Sequence, residues 1–157
     1  MEILAIMSAR TALAALSIYV DSYYDRDDLP YEAGDDIAVL LGGLRMTEQF
    51  GTDDAQYEVL WTELVASHID YDLGKVDLDK VELTYLDGFL LGRMLVAHYL
   101  EREGFQGLKL IVDEGATDSS GLPCNQAAWS NWLECVERAK RGDVWSSWSF
   151  NTDPQSS

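Results

Sequence analysis

Between Asn125 and Gly142 the chain reads NQAAWSNWLECVERAKRG. Ala128, Trp129, Trp132, Leu133, Cys135, Val136 and Ala139 recur at intervals of three and four, which brings them onto one stripe of an α-helix. Asn125 precedes the stripe and can accept hydrogen bonds from the free N–H groups of the first turn. Lys140, Arg141 and Gly142 supply a basic last turn and a stop. The segment is an amphipathic helix with its own punctuation, ending the folded part of an otherwise acidic chain.

The same design occurs earlier. SIYVDSYYDR (17–26) aligns with RMLVAHYLER (93–102) at an offset of 76, which sets Val20 on Val96, Tyr23 on Tyr99, Asp25 on Glu101 and Arg26 on Arg102. Shortening the next loop by five residues makes the offset 71. DDIAVLL (35–41) then falls on QGLKLIV (106–112), and DAQYEVLWTELV (54–65) on NQAAWSNWLECV (125–136). Trp61 meets Trp132, Glu63 meets Glu134 and Val65 meets Val136. One gap keeps three segments in register, which favours a tandem duplication over the general likeness of amphipathic helices.

The expected architecture is therefore all-α: two related three-helix units, about 8–68 and 84–142, packed as one domain over 1–142. Helix one runs from a Ser8 cap to about Arg26, with Pro30 and Gly34 as breakers after it. A short helix from about Asp36 stops at Gly42-Gly43. Helix three starts near Asp53, whose side chain forms a capping box with Gln56, and ends near His68. IDYDLGKVDLDKVEL is an irregular joint with room for a short extended piece. Thr84, with Asp87 three residues on, opens a long helix that Gly104 closes. A short apolar LKLIV and the turn-rich DEGATDSSGLP lead to the tryptophan helix. Residues 143–157 form an aromatic segment and a disordered tail.

Net charge is −17, with 28 acidic against 11 basic side chains. Residues 1–82 hold 18 acidic and 5 basic side chains, and residues 83–157 hold 10 and 6. Such a balance keeps a chain soluble, disfavours nucleic acid and anionic membrane, and favours a basic partner. No apolar run reaches membrane-spanning length. MEILAIMSARTALAALSIYV lacks a positive start, is interrupted by Arg10 and offers no cleavage site, so it reads as a mature helix of a cytoplasmic protein. Cys124 and Cys135 suggest neither a disulfide framework nor a zinc site.

Catalytic constellations are not apparent. His68 and His98 lie on helices, His98 as a partly buried packing residue. LLGGLR lacks phosphate-loop or dinucleotide spacing and reads as a helix end. DYDLGKVDLDKVE, Asp70 to Glu82, starts like a calcium loop. It lacks the third acid, has its glycine one place early, and carries Val81 where a bidentate glutamate belongs. A solvated acidic joint is the better reading. The expectation is a non-enzyme without catalytic residues, metal or cofactor.

Asp21–Asp36, DSYYDRDDLPYEAGDD, concentrates seven carboxylates, three tyrosines and one arginine. A solvated helix end and polar loop would account for it. As an interaction surface, the carboxylates accept bidentate arginine contacts and tyrosine offers contact area at small entropic cost. The candidate partner-binding residues are Asp25, Asp27, Asp28, Tyr31, Glu32, Asp35 and Asp36. Tyr19, at helical spacing with Leu16 and Tyr23, belongs to the core. So do Trp61 and Trp132, aligned by the repeat; Trp129 has less to shield it and is expected to be partly exposed. Trp145 and Trp148, three apart, are suited to docking back on an apolar groove.

TALAALSIYVDSYYDR followed by GDDIAVLLGGL, and later AAWSNWLECVERA, resembles small cytosolic immunity proteins of contact-dependent growth inhibition and other polymorphic toxin systems. The family pattern has a helix ending in aromatics before a basic residue, an acidic pair leading an apolar run into Gly, and an Asp-Pro-x-x-Trp-x-x-Trp-Leu helix. Here Asp35 and Asp36 with the Leu-Leu-Gly run carry the second element and Trp129 to Leu133 the third. Pro123, Cys124 and Asn125 replace the Asp-Pro, and Tyr57 stands where the first half would have its first tryptophan. The resemblance implies a non-enzymatic protein that binds and neutralises one cognate toxin without saying which; the acidic charge favours a basic toxin, a nuclease being one candidate. The alternative is a phage or plasmid inhibitor of a host defence nuclease or DNA-processing enzyme, its carboxylates imitating phosphates.

Overall fold

The first helix, α1 (Ala9–Tyr24), is not a surface helix with one apolar stripe: twelve of its sixteen residues are buried. A helix apolar on all sides is stable only with neighbours on all sides. Ala12, Ala14 and Ala15 let those neighbours approach closely. The computed structural model from which this is drawn describes residues 4–24, 26, 29, 33–44, 52 and 55–142.

Six α-helices dominate the described residues. They are α1, α2 (Ala33–Leu44), α3 (Ala55–Ile69), α4 (Tyr85–Arg102), α5 (Lys109–Glu114) and α6 (Gln126–Lys140). Most of the expected caps are present. Ser8 Oγ accepts from the Thr11 N–H at 3.0 Å, Thr84 Oγ1 from Asp87 at 3.0 Å and Asn125 Oδ1 from Ala128 at 2.9 Å. Gly104 and Gly142 adopt φ of +70° and +78° just past the helices they close.

Other expectations need correcting. A two-stranded antiparallel sheet adds to the helices: β1 (Ile6–Ser8) pairs with β2 (Glu82–Thr84), Met7 lying opposite Leu83. β2 is the extended piece of the joint, whereas nothing local in IMS announced a strand. α2 runs through Gly42-Gly43 to Leu44. Gly43 is not a stop but a contact, because any Cβ there would collide with the Tyr57 ring. LKLIV is helical, entered through a 3₁₀ turn at Gln106–Leu108. α1 ends at Tyr24, before Arg26. The Asp53 capping box and the WSSWSF segment lie outside the described residues.

Matching hydrogen bonds occur in the two halves. The Ala9 N–H donates to the Val81 carbonyl and the Tyr85 N–H to the Ala5 carbonyl, both at 2.8 Å. Trp61 Nε1 donates to the Ala9 carbonyl and Trp132 Nε1 to the Tyr85 carbonyl, both at 2.9 Å. Ala9 and Tyr85 are 76 apart, Trp61 and Trp132 71 apart, as in the sequence alignment. Residues one offset apart also meet each other. A Cβ on Gly88 would lie 3.4 Å from that of Ala12, and one on Gly92 would lie 3.0 Å from Leu16 Cδ1. The Gly107 N–H donates to Asp36 Oδ2 at 2.7 Å. Both halves run strand, helix, helix, helix.

α1 packs most extensively against α6 and also touches α2 and α4. Between them sits an aromatic cluster. Tyr19 makes edge-on contacts with Tyr23, Phe89 and Trp132 at centroid distances of 5.3, 6.0 and 5.8 Å. Trp129 belongs to it, only 7% exposed and edge-on to Phe89 at 5.4 Å. Its expected exposure is thus overturned: the shield comes from α4, not from neighbours in sequence. Trp61 and Trp132 are 0% and 1% exposed, as expected of core positions.

Candidate functional site

The acidic stretch 21–36 begins as the end of α1, which carries some of its side chains inward. Asp21 and Tyr23 are buried at 6% and 2% exposure, so neither belongs to an outer face. The Tyr23 hydroxyl donates to Glu114 Oε1 at 2.6 Å, and Arg26 Nη1 reaches the same oxygen at 2.9 Å. With its own proton directed to Glu114, Tyr23 accepts from the Tyr19 hydroxyl at 3.1 Å. Burial, first of all, pushes the Tyr19 phenol up to about 12. Burial again, with the charge of Tyr19 and the Glu114 bond, raises Tyr23 further. This network ties α1 to α5; both tyrosines stay neutral and act as struts.

Of the seven candidate partner-binding residues, Asp35 and Asp36 are described, and they part company. Asp35 is exposed. Asp36 turns inward to accept the Gly107 N–H. That bond holds α2 against the turn before α5, so the second acid of the Asp-Asp pair is a strut between halves. Asp25, Asp27, Asp28, Tyr31 and Glu32 lie outside the described residues.

A second acidic surface lies at the other end of α1. Arg10 Nε contacts Asp79 Oδ1 at 2.7 Å and Arg10 Nη1 contacts Glu58 Oε1 at 3.4 Å. The arginine clamps the start of α3 to the joint. Between α3 and the 3₁₀ turn Leu73–Lys75 opens a groove of about 510 Å³, lined by Thr52, Ala55, Glu58, Val59, Thr62 and Leu73. Val59 and Leu73 are 55% and 49% exposed. Sequence reasoning passed over this groove. Its one signal was Val59, an apolar residue off the Tyr57, Trp61, Val65 stripe.

Several of the remaining chemistry-bearing side chains have local partners. His68 Nε2 lies 3.3 Å from Asp87 Oδ2, and the partly buried His98 ring packs on Tyr99 at 5.2 Å. In the joint, Asp77 Oδ1 accepts from the Asp79 N–H and Asp72 contacts Lys75 at 3.8 Å. Among the described residues no three His, Cys, Asp or Glu side chains converge as a metal site. Cys124 is exposed and Cys135 buried, both as free thiols, and burial pushes Cys135 up to about 12. Among the described residues no helix is long and apolar enough to cross a membrane.

No family model matches the chain, and neither a curated protein nor a solved structure matches it significantly.

Proposed function

We propose that this chain is a cytoplasmic immunity protein that binds and neutralises one cognate bacterial toxin. It acts without cofactor, covering a basic active site or substrate groove with its acidic surface. The observation that carries the reading is the surplus of carboxylates beyond those employed inside the fold. Asp36 and Glu114 are engaged between helices, whereas Asp35, Glu63, Asp70, Asp72 and Asp77 stand exposed. Exposed like charges steer a basic partner in and discourage self-association. The acidic-pair and Trp-x-x-Trp-Leu likeness supports the same class, with Asp36 and Trp132 serving there as structural ties.

The second part of the proposal is that the fold arose as a tandem pair of related three-helix units. The matched tryptophan and strand bonds at offsets of 71 and 76 support it.

Co-expression with the product of the adjacent gene, read as growth, tests the function. The native chain is expected to restore growth, and toxin association should slow as salt rises, since exposed charges are screened beyond a Debye length. Asp27→Lys with Asp28→Lys should lower the association rate, and Tyr31→Ala should speed dissociation. A chain that rescues no neighbouring toxin but inhibits a DNA-processing enzyme belongs to the phosphate-mimic class instead.

A further inference from the structure

The groove between α3 and the joint has one wall made by a stripe of α3 that recurs, with different residues, on α6. Its α3 wall, Ala55, Glu58, Val59 and Thr62, follows the i, i+3, i+4, i+7 pattern of one helix stripe. At the offset of 71 the same stripe on α6 is Gln126, Trp129, Ser130 and Leu133. There Trp129 is buried edge-on against Phe89. On α3 the place of Trp129 is taken by Glu58, which turns to Arg10, while Val59 is exposed like its counterpart Ser130. Two half-exposed apolar side chains, Val59 and Leu73, face a groove large enough for a bulky side chain.

The charge around the groove says what covers it. Residues 70–82 carry Asp70, Asp72, Asp77, Asp79 and Glu82 against Lys75 and Lys80. The Asp72 and Asp79 side chains are 79% and 67% exposed. Arg10 already faces both Glu58 and Asp79. A groove that offers Val59 and Leu73 beside Glu58, next to a joint of net negative charge, is complementary to an apolar anchor flanked by lysine or arginine. A second copy of this chain, itself at −17, would bring like charge to like charge.

We infer that the groove is a docking surface for a basic segment of the protein partner, which seats one apolar side chain between Val59 and Leu73. The inference rests on the toxin-binding reading and gives it an anchor. The groove lies near Arg10, while the acidic stretch 25–36 follows in sequence after Tyr24, whose end of α1 is roughly 24 Å away for a sixteen-residue helix. The charges of that stretch then set the rate of encounter, and the groove sets the residence time.

The test is binding kinetics of the purified native chain and its variants with the product of the adjacent gene. Val59→Ser with Leu73→Ser is expected to speed dissociation at least about tenfold while leaving the association rate within about twofold. Asp72→Lys should slow association and flatten its salt dependence. All three side chains are about half exposed or more, so melting temperatures should match the native chain. Unchanged dissociation in the double variant, with native binding intact, overturns the groove and leaves the toxin-binding reading standing. Failure of the native chain to bind overturns that reading and the groove with it. Dimerisation of the chain alone, abolished by the double variant, would assign the groove to a second copy and also overturn the inference.

Discussion

The indole N–H of Trp132 donates to the backbone carbonyl of Tyr85 at 2.9 Å in the buried core. It thereby fixes the angle at which α6 meets the start of α4. Trp61 makes the matching bond to Ala9, at the start of α1. Tyr85 is tied to α6 a second time, its hydroxyl donating to Glu137 Oε2 at 2.9 Å and accepting from Lys140 Nζ at 2.6 Å. Each tryptophan joins the third helix of its half to the strand–helix junction of the same half.

Replacing either indole by a phenyl ring removes this bond to a carbonyl that keeps only the N–H of its own helix, and leaves unfilled space in the core. Trp61→Phe and Trp132→Phe are each expected to cost about 1–3 kcal/mol. Urea midpoints should fall with the m-value unchanged. Two energetically equivalent bonds would give similar losses. A neutral Trp61→Phe beside a costly Trp132→Phe would show that the first half does not rely on its bond.

Gly107 is the second sensitive joint. A Cβ there would stand 2.5 Å from the Ala33 Cα, a backbone atom that cannot rotate away. Gly107→Ala should therefore cost about 1–3 kcal/mol by overpacking. Asp36→Ala, which removes the acceptor of the Gly107 N–H, should cost a similar amount. Because both open the same contact, the double variant should lose less than the sum. Strict additivity in chemical denaturation would refute the shared contact.

The buried tyrosines predict the alkaline limit of stability. Burial pushes the Tyr19 phenol from its ordinary 10.0 up to about 12, so the folded state favours the neutral form. That contribution is fully present below pH 10.0 and is lost as pH rises through about 12. Stability should fall by up to about 1.4 kcal/mol per pH unit for each such group above its unfolded value. Absorbance at 295 nm should show Tyr19 and Tyr23 ionising together with unfolding. Tyr19→Phe should flatten the alkaline slope; an unchanged slope would mean that Tyr19 ionises in the folded protein.

The two thiols should separate by reactivity. Cys124 is exposed, whereas Cys135 is 2% exposed and raised to about 12, which leaves little thiolate at neutral pH. A disulfide reagent at pH 8 is expected to modify one thiol per chain within minutes and the second only on unfolding. Cys124→Ser should abolish the fast phase. Fast modification that persists in Cys124→Ser would place Cys135 at the surface.

What the sequence by itself determined were the features governed by neighbours within one turn. Ser8, Thr84 and Asn125 cap because their side chains reach N–H groups three residues on, and Gly104 and Gly142 stop because a left-handed φ costs them nothing. The offsets of 76 and 71 were equally legible, since they need only a comparison of the chain with itself. Burial of Trp61 and Trp132 followed from that alignment. The tertiary structure alone decided what each helix faces. α1 looked amphipathic but is enclosed on most sides, because α2, the next helix, and α4 and α6, from the second half of the chain, converge on it. Trp129 is buried because Phe89 comes to it from α4, and position 43 has no room for a side chain because Tyr57 occupies the space beside it. Asp36 resembled its exposed neighbour Asp35 until the fold brought Gly107, 71 residues away, within 2.7 Å. The groove at Val59 and Leu73 likewise exists only because the joint returns beside α3. Periodicity assigns a side chain to a face of its own helix, but only packing determines which faces are covered.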